Sequence, residues 1–258
     1  MKSRLDKLLV DRGLASSRER AQALILAGKV LVNEQKIEKS GAAVDPEAVV
    51  RLLGSDLKYV SRGGLKLERA LEHWHIDVTG LTCLDVGAST GGFTDCLLQH
   101  GAAHVIAVDT GYGQMDFRLR EDPRVRLLEK TNARYLTHEA LGEYASFIAI
   151  DVSFISATLV LPAVIASAFP AMSASQKQRQ VVTLVKPQFE AGRGEVGKGG
   201  IVRDEAAQQT AVDRVRACVL QLGARSCVLQ LGARSTDVIE SPILGGEGNR
   251  EFLLYASF

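Results

Sequence analysis

This 258-residue chain is poor in the residues that build disulfide frameworks and zinc sites. Its four cysteines are Cys83, Cys96, Cys218 and Cys227, with no C-x-x-C pair among them. No His/Cys cluster has zinc spacing either, so a metal-stapled or secreted disulfide scaffold is excluded. Buried free thiols in a reducing compartment are expected, hence a cytoplasmic protein. Aromatics are only 5% of the chain, and the net charge of +1 implies no strong overall field. The N-terminus is charged from Lys2 onward and lacks the apolar core of a signal peptide. A single uncharged run, Val152 to Gln176, is long enough to cross a bilayer. It contains Pro162 and Pro170 and directly follows Asp151, so it reads as a buried strand end and a core helix. No stable membrane association is expected.

Charge is unevenly spread. Residues 1–64 hold 12 Lys/Arg against 8 Asp/Glu, whereas the remainder is slightly acidic. A basic N-terminal module suggests a polyanion partner at that end. Residues 1–53 read as a small α+β unit. A helical repeat from Arg4 to Val10 stops at Gly13, and Ser16 or Ser17 can cap a second helix that runs to Gly28. Short strands follow around Lys29–Asn33 and Gln35–Ile37, with another near Val49–Leu53. The pattern R-L-D-x-x-L-V-x-x-G…S-R-x-x-A-x-x-L-I-x-x-G-x-V-x-V-N resembles the S4 RNA-binding domain. That resemblance implies an RNA-facing surface carrying Arg4, Arg18, Arg20 and Lys29, whose contacts with phosphates position rather than specify. A polar connector at 54–60 separates this unit from the second domain, 61–258.

The second domain centres on Leu84-Asp-Val-Gly-Ala-Ser-Thr-Gly-Gly-Phe-Thr-Asp95, in which an apolar strand runs into a glycine-rich turn and then an amphipathic segment. About 20 residues on, a second strand, His104–Val108, ends in Asp109, which is placed to hold ribose hydroxyls of an adenosine-containing ligand. The turn spacing, Gly87-Ala-Ser-Thr-Gly91-Gly92, is not the G-x-G-x-x-G of a dinucleotide site. Asp85 before it would repel a diphosphate and suits the cationic end of S-adenosylmethionine. A dinucleotide site and a purely structural turn are the competing readings. Asp85, Gly87, Ala88, Ser89, Gly91, Gly92 and Phe93 would surround the methionine end, with Asp109 on the ribose. Asn132 would approach the adenine edge, or simply cap a turn.

Strands near 81–86, 104–109, 125–128, 146–151, 181–186, 236–240 and 251–257 alternate with helical patterns. This predicts an α/β fold, a mostly parallel seven-stranded Rossmann-like sheet with one antiparallel edge strand made by a terminal hairpin. A nonapeptide, Cys218–Ser226, recurs at once as Cys227–Ser235. Gly223 is expected to end a helix, leaving the second copy as a loop or extra strand. Gly192-Arg-Gly-Glu-Val-Gly197-Lys198 lacks the Ser/Thr of a nucleotide-binding P-loop and lies beyond its strand end, so a triphosphatase is rejected in favour of a basic loop over RNA.

Four polar residues fall at one rim of this sheet: Lys66 in Ser61-Arg62-Gly-Gly-Leu-Lys66-Leu67, Asp151, Lys186 before Pro187, and Glu251. This K-D-K-E set is similar to that of FtsJ-type ribose 2′-O-methyltransferases. With the S4-like head, the chain resembles the TlyA family, often labelled haemolysin A. The match includes S-R-G-G-x-K-L, the glycine turn, Val185-Lys-Pro-Gln-Phe-Glu190 and Ser241-Pro242…Gly248-Asn249-x-Glu251, and departs from the family only at the duplicated nonapeptide. It implies a class I methyltransferase that uses S-adenosylmethionine on ribosomal RNA or ribosomal subunits, at a cytidine ribose. Lys186 would activate the hydroxyl, Asp151 and Glu251 would orient the lysines, and Lys66 and Arg62 would position the RNA. A pore-forming protein and a non-catalytic assembly factor are the competing functions.

Overall fold

A computed structural model describes residues 2–15, 17–53, 58–169, 179–192, 194–224, 235–245 and 248–258. The chain divides into two compact units, Met1–Lys58 and Tyr59–Phe258. Most of the connector assigned to 54–60 lies outside the described residues.

The first unit runs β1 (Ser3–Arg4), α1 (Leu5–Asp11), α2 (Arg18–Leu26), β2 (Val30–Val32), β3 (Gln35–Lys36), β4 (Ala43–Val44) and β5 (Val50–Leu52). Ser17 caps α2 by accepting from Arg20 N at 3.2 Å. β2 and β3 are joined through Asn33 and Glu34, both at positive φ, as a two-residue hairpin turn requires. Asn33 suits this position, and its side chain also accepts from Val49 N at 2.9 Å. The two-residue strands β1 and β4 pair with each other, a feature too short for a periodicity signal. Leu5, Leu9, Ala21, Ile25 and Val30 are fully buried and form the core.

The second unit contains α3 (Gly63–His73), β6 (Thr82–Val86), α4 (Gly92–Gln99), β7 (His104–Val108), α5 (Phe117–Arg120), β8 (Val125–Leu128), α6 (His138–Leu141), β9 (Phe147–Ile150), α7 (Leu161–Ala168), β10 (Gln180–Val185), α8 (Pro187–Glu190), α9 (Glu205–Ala224), β11 (Ser235–Glu240) and β12 (Phe252–Ser257). Its seven-stranded sheet has the order β11-β12-β10-β9-β6-β7-β8. The pairs from β10 through β8 are parallel, while β12 is antiparallel to both neighbours. The expected antiparallel hairpin therefore closes one side of the sheet, with β11 outermost.

Alternation along the strands sends Leu84, Val86, Ile148 and Ile150 to one face and Cys83, Phe147 and Ala149 to the other. The first face packs on α7 and α9, the second on α3 and α4. The uncharged run, as far as it is described, folds into the first face through Ala157, Val160, Leu161, Val164 and Ile165. Among the described residues, no helix is long and apolar enough to cross a membrane. Burial pushes the Cys83 thiol up to about 12, so it is unreactive.

The duplicated nonapeptide begins inside α9, which continues through Gly223 to Ala224 instead of ending at that glycine. The second copy, expected as a loop or strand, lies outside the described residues except Ser235, which opens β11. β11 and β12 nevertheless pair over their full length, from Ser235↔Ser257 to Glu240↔Phe252.

Candidate active site

β6 and β9 are adjacent and parallel, yet the chain leaves β6 toward β7 on one side and returns to β9 on the other. This is the topological switch point, where the turns after two neighbouring strands diverge and leave a crevice. The crevice is tight. Gly87 has φ +88°, and a Cβ there would lie 2.3 Å from the Asp151 carbonyl oxygen. Only glycine permits that approach. Gly92 serves the neighbouring contact: a Cβ would lie 2.3 Å from Ser61 Oγ and 3.0 Å from Gly64 N, where α3 and α4 begin side by side. The S-R-G-G and S-T-G-G sequences thus fit one another.

A cavity of about 410 Å³ opens at this crevice, lined among others by Gly87, Ser89, Asp109, Asn132 and Asp151. The Asp109 carboxylate accepts from Ser89 N at 2.7 Å and Gly111 N at 2.6 Å, which fixes it at the mouth. Asn132 both lines the cavity and caps the following turn by accepting from Arg134 N at 3.0 Å. An adjoining cavity of about 260 Å³ brings Arg62, Lys66, Ala88, Gly92 and Phe93 to the same Asp151. Gly91, at φ +94°, precedes α4 and shapes the turn without lining either cavity.

Asp85 does not reach either cavity. The strand alternation turns it under α4, fully buried, where its Oδ2 accepts from Thr94 Oγ1 at 2.6 Å. Its Oδ1 has no hydrogen-bond partner among the described residues. Burial, opposed by the Thr94 hydrogen bond and reinforced by Asp151 and Asp109, pushes its carboxyl up to about 7. The carboxylate lies one layer behind the turn that it was expected to face from the front.

The four rim residues form two ion pairs, one buried and one partly buried. Lys186 Nζ is 2.5 Å from Asp151 Oδ1 and donates to Ser153 Oγ at 2.8 Å. Lys66 Nζ is 2.5 Å from Glu251 Oε2. Both lysine side chains are only 10% exposed and Glu251 is 2% exposed, whereas Asp151 is 19% exposed, so the lysines and Glu251 are largely desolvated yet paired. Lys186 and Glu251 line a third cavity together with Ser153, while Lys66 and Asp151 line the second. The arrangement brings an ammonium, held in one geometry, to where the cavities converge on the 151–153 turn.

Three supporting residues escaped the sequence reading. Ser153 orients Lys186, but a serine after a strand end is too common to stand out. Glu190 is 3% exposed and accepts from Ser156 Oγ at 2.5 Å and Ala157 N at 2.6 Å, tying α8 to the loop after Asp151. Burial raises its carboxyl above the usual range. In the first unit, the fully buried Asp6 accepts from Arg4 at 2.8 Å, Arg18 at 3.1 Å and Gln22 at 3.0 Å, holding two of the arginines assigned to RNA. Arg4 and Arg18 remain about half exposed, Lys29 and Arg62 are exposed, and Arg20 is half-buried. Asp6 was visible as the aspartate of R-L-D, but only the fold shows which side chains meet on it.

Comparison with known proteins accords with this geometry. The family model described as FtsJ-like methyltransferase matches residues 59–258, and the S4 domain model matches 3–50. The chain is 45% identical over 255 residues to the 16S/23S rRNA (cytidine-2′-O)-methyltransferase TlyA of Mycobacterium tuberculosis, covering 98% of this chain and 89% of that one. It is 40% identical over 253 residues to the protein named Hemolysin A from Brachyspira hyodysenteriae, covering 98% of each. A solved structure titled as a hemolysin from Streptococcus thermophilus superposes with a TM-score of 0.71 at 41% identity, covering 99% of this chain and 88% of that one. The chain therefore belongs to the FtsJ-like methyltransferases, in the TlyA/hemolysin A group that carries an S4 domain ahead of the transferase.

Proposed function

We propose that this chain transfers a methyl group from S-adenosylmethionine to the 2′-hydroxyl of a cytidine ribose in ribosomal RNA. The observation that carries this reading is the Lys186–Asp151 ion pair at the mouth of the switch-point crevice, with the Lys66–Glu251 pair beside it. The crevice supports this reading: Gly87 and Asp109 both line it, and the Asp109 carboxylate would meet the ribose of the cofactor. The cofactor supplies an electrophilic methyl group. Asp109 and Asn132 would hold its nucleoside part, and the 87–93 turn its amino-acid part.

Lys186 would act on the RNA hydroxyl, a weak nucleophile at neutral pH. An ammonium beside that oxygen stabilises the negative charge that develops on it, while the hydroxyl proton is released to water as the oxygen takes the methyl group. Asp151 and Ser153 fix the Lys186 side chain, and Lys66, fixed by Glu251, would position the ribose or its phosphate. The remaining rate advantage comes from alignment of the reacting atoms. The S4 unit, with Arg4, Arg18, Arg20 and Lys29, would dock the RNA, and Arg62 would contact it near the crevice. Ribosomal subunits as substrate imply a cytoplasmic location. The uncharged run, the sequence support for a membrane-active reading, is accounted for by core packing in its described part.

The test is transfer of labelled methyl from the cofactor to separated ribosomal subunits, with Lys186→Ala alongside. Ribose-mapped label that falls by about 10²-fold or more in the variant supports the assignment. Full activity in Lys186→Ala sinks its catalytic role, and absence of ribose label with cofactor-binding protein sinks the reaction.

A further inference from the structure

We infer that Asn249 is a positioning residue for RNA: it pins the turn at 197–200 so that two cations there, Lys198 and Arg203, meet phosphates of the strand being modified. The inference rests on the ribose-methylation reading and adds to it a backbone contact beside Lys186.

The loop after α8 is rich in glycine, with Gly194, Gly197, Gly199 and Gly200, and by composition alone would have no fixed shape. It nevertheless closes into a defined turn. Gly200 N donates to Gly197 O at 3.1 Å, and Gly197 N donates to Ile201 O at 3.0 Å. Gly199 and Gly200 sit at φ +81° and +73°, a left-handed pair that suits glycine. Lys198 therefore stands within the tip of the turn. Val196, Gly199 and Gly200 line the third cavity, of about 680 Å³, together with Lys186 and Glu251. A ribose brought to Lys186 carries a phosphate on each side, so this wall flanks the path of the strand.

Asn249, only 1% exposed and two residues before Glu251, holds this turn from below. Its Oδ1 accepts from Val202 N at 3.0 Å and its Nδ2 donates to Gly200 O at 3.0 Å. Its backbone oxygen accepts from Gly245 N at 2.9 Å, so the same residue also fixes the segment leading to Glu251. The bracket needs one acceptor and one donor side by side, which a carboxamide supplies and alanine does not. The cations that it places are free to act. Lys198 and Arg203 are exposed, and neither makes an ion pair among the described residues. Other surface arginines of this unit are engaged: Arg118 with Asp116, Arg124 with Asp122 and Arg250 with Glu240. Glu195, the acidic residue of the loop, accepts from Gly192 N at 2.7 Å. Arg203 Nη1 would lie 3.8 Å from a Cβ on Gly197, which sets its guanidinium along the turn. Two exposed, unpaired cations on one fixed turn suit the phosphates of a nucleic-acid backbone. Asn249 itself is too buried to touch RNA and acts through them.

The experiment measures affinity for ribosomal subunits between about 50 and 200 mM monovalent salt at fixed magnesium, since each phosphate contact adds about 0.7–0.9 to the slope of log affinity against log salt. Lys198→Ala/Arg203→Ala is expected to make the slope shallower by about 1.5. Asn249→Ala changes no charge, yet is expected to make it shallower by about 0.7 or more, and to add nothing further in the Lys198→Ala/Arg203→Ala background. A merely structural role would weaken binding without moving the slope. Binding of labelled S-adenosylmethionine is expected to stay within twofold in every variant. A wild-type slope in Asn249→Ala overturns the positioning role, as does loss of cofactor binding, which would make Asn249 a support of the fold at large. A wild-type slope in Lys198→Ala/Arg203→Ala overturns the phosphate contacts. Absence of any ribose methylation by wild type would instead fail the underlying reading.

Discussion

Lys66 and Glu251, 185 residues apart in the chain, meet as a buried ion pair at 2.5 Å. The pair ties the opening turn of α3 to the start of β12, the strand inserted antiparallel into the sheet. A carboxylate at 2% exposure can be ionic only with such a partner.

Removing one member should therefore cost more than removing both. Glu251→Gln strands a buried ammonium and is expected to lower stability by about 3–5 kcal/mol. The double variant Lys66→Met/Glu251→Leu is expected to recover much of that loss while remaining inactive. Denaturant unfolding of the single and double variants checks this, and a double variant no more stable than Glu251→Gln would contradict it.

Gly87→Ala should abolish cofactor binding. Its Cβ would lie 2.3 Å from the Asp151 carbonyl, at a φ of +88°. The turn after β6 and the turn after β9 would have to part, opening the crevice and displacing Asp151 from Lys186. Backbone strain of this kind costs on the order of 1–3 kcal/mol. Calorimetric titration with S-adenosylmethionine gives the affinity and thermal unfolding the stability; near-native binding would refute the close-approach argument.

Asp85 should make stability fall as pH rises. Its carboxyl is pushed from 3.8 to about 7 in the folded protein, so between those values the native state binds more protons than the unfolded one. The contribution of protonated Asp85 is full below pH 4 and is lost as pH rises toward 7, levelling off above it. Asp85→Asn is expected to flatten that slope. Urea midpoints from pH 4 to pH 8 for the two proteins decide it, and parallel curves would show that Asp85 is ionised throughout.

Asp6→Ala should weaken RNA binding without touching the cofactor. The buried Asp6 carboxylate holds Arg4 and Arg18 in place, and those guanidinium groups hold its carboxyl well below the usual range. With Asp6 gone the two arginines lose their common anchor. Fluorescence anisotropy with ribosomal RNA should show weaker binding of about 5-fold or more, since a charge-assisted hydrogen bond contributes roughly 1.5–3 kcal/mol. Cofactor affinity is expected to stay within twofold, and unchanged RNA affinity would remove Arg4 and Arg18 from the RNA-binding surface.

Much of the fold was legible because period and turn chemistry are local. The seven strands of the large sheet fall within a residue or two of their expected ranges, since most are short apolar runs bounded by turn signals, the polar β11 being the exception. Glycine marked the turn at Gly87, and charged residues interrupting apolar strand ends marked Asp109, Asp151 and Lys186. The strands β1 and β4 were missed because two residues carry no period. Gly223 lies one residue before the last described residue of α9, Ala224, so the glycine marked the end of the described helix to within a residue.

The sequence by itself thus determined which residues carry charge at the rim, where the glycine turn lies, and that strands and helices alternate. Pairing was decided by tertiary structure. Whether Lys186 meets Asp151 or Glu251 depends on the strand order β12-β10-β9, which no local signal encodes. The direction of Asp85 depends on which sheet face is covered by α4, and that set its burial, its bond to Thr94 and its raised carboxyl. Side-chain identity is written residue by residue, whereas desolvation and ion pairing exist only between segments that the fold brings together.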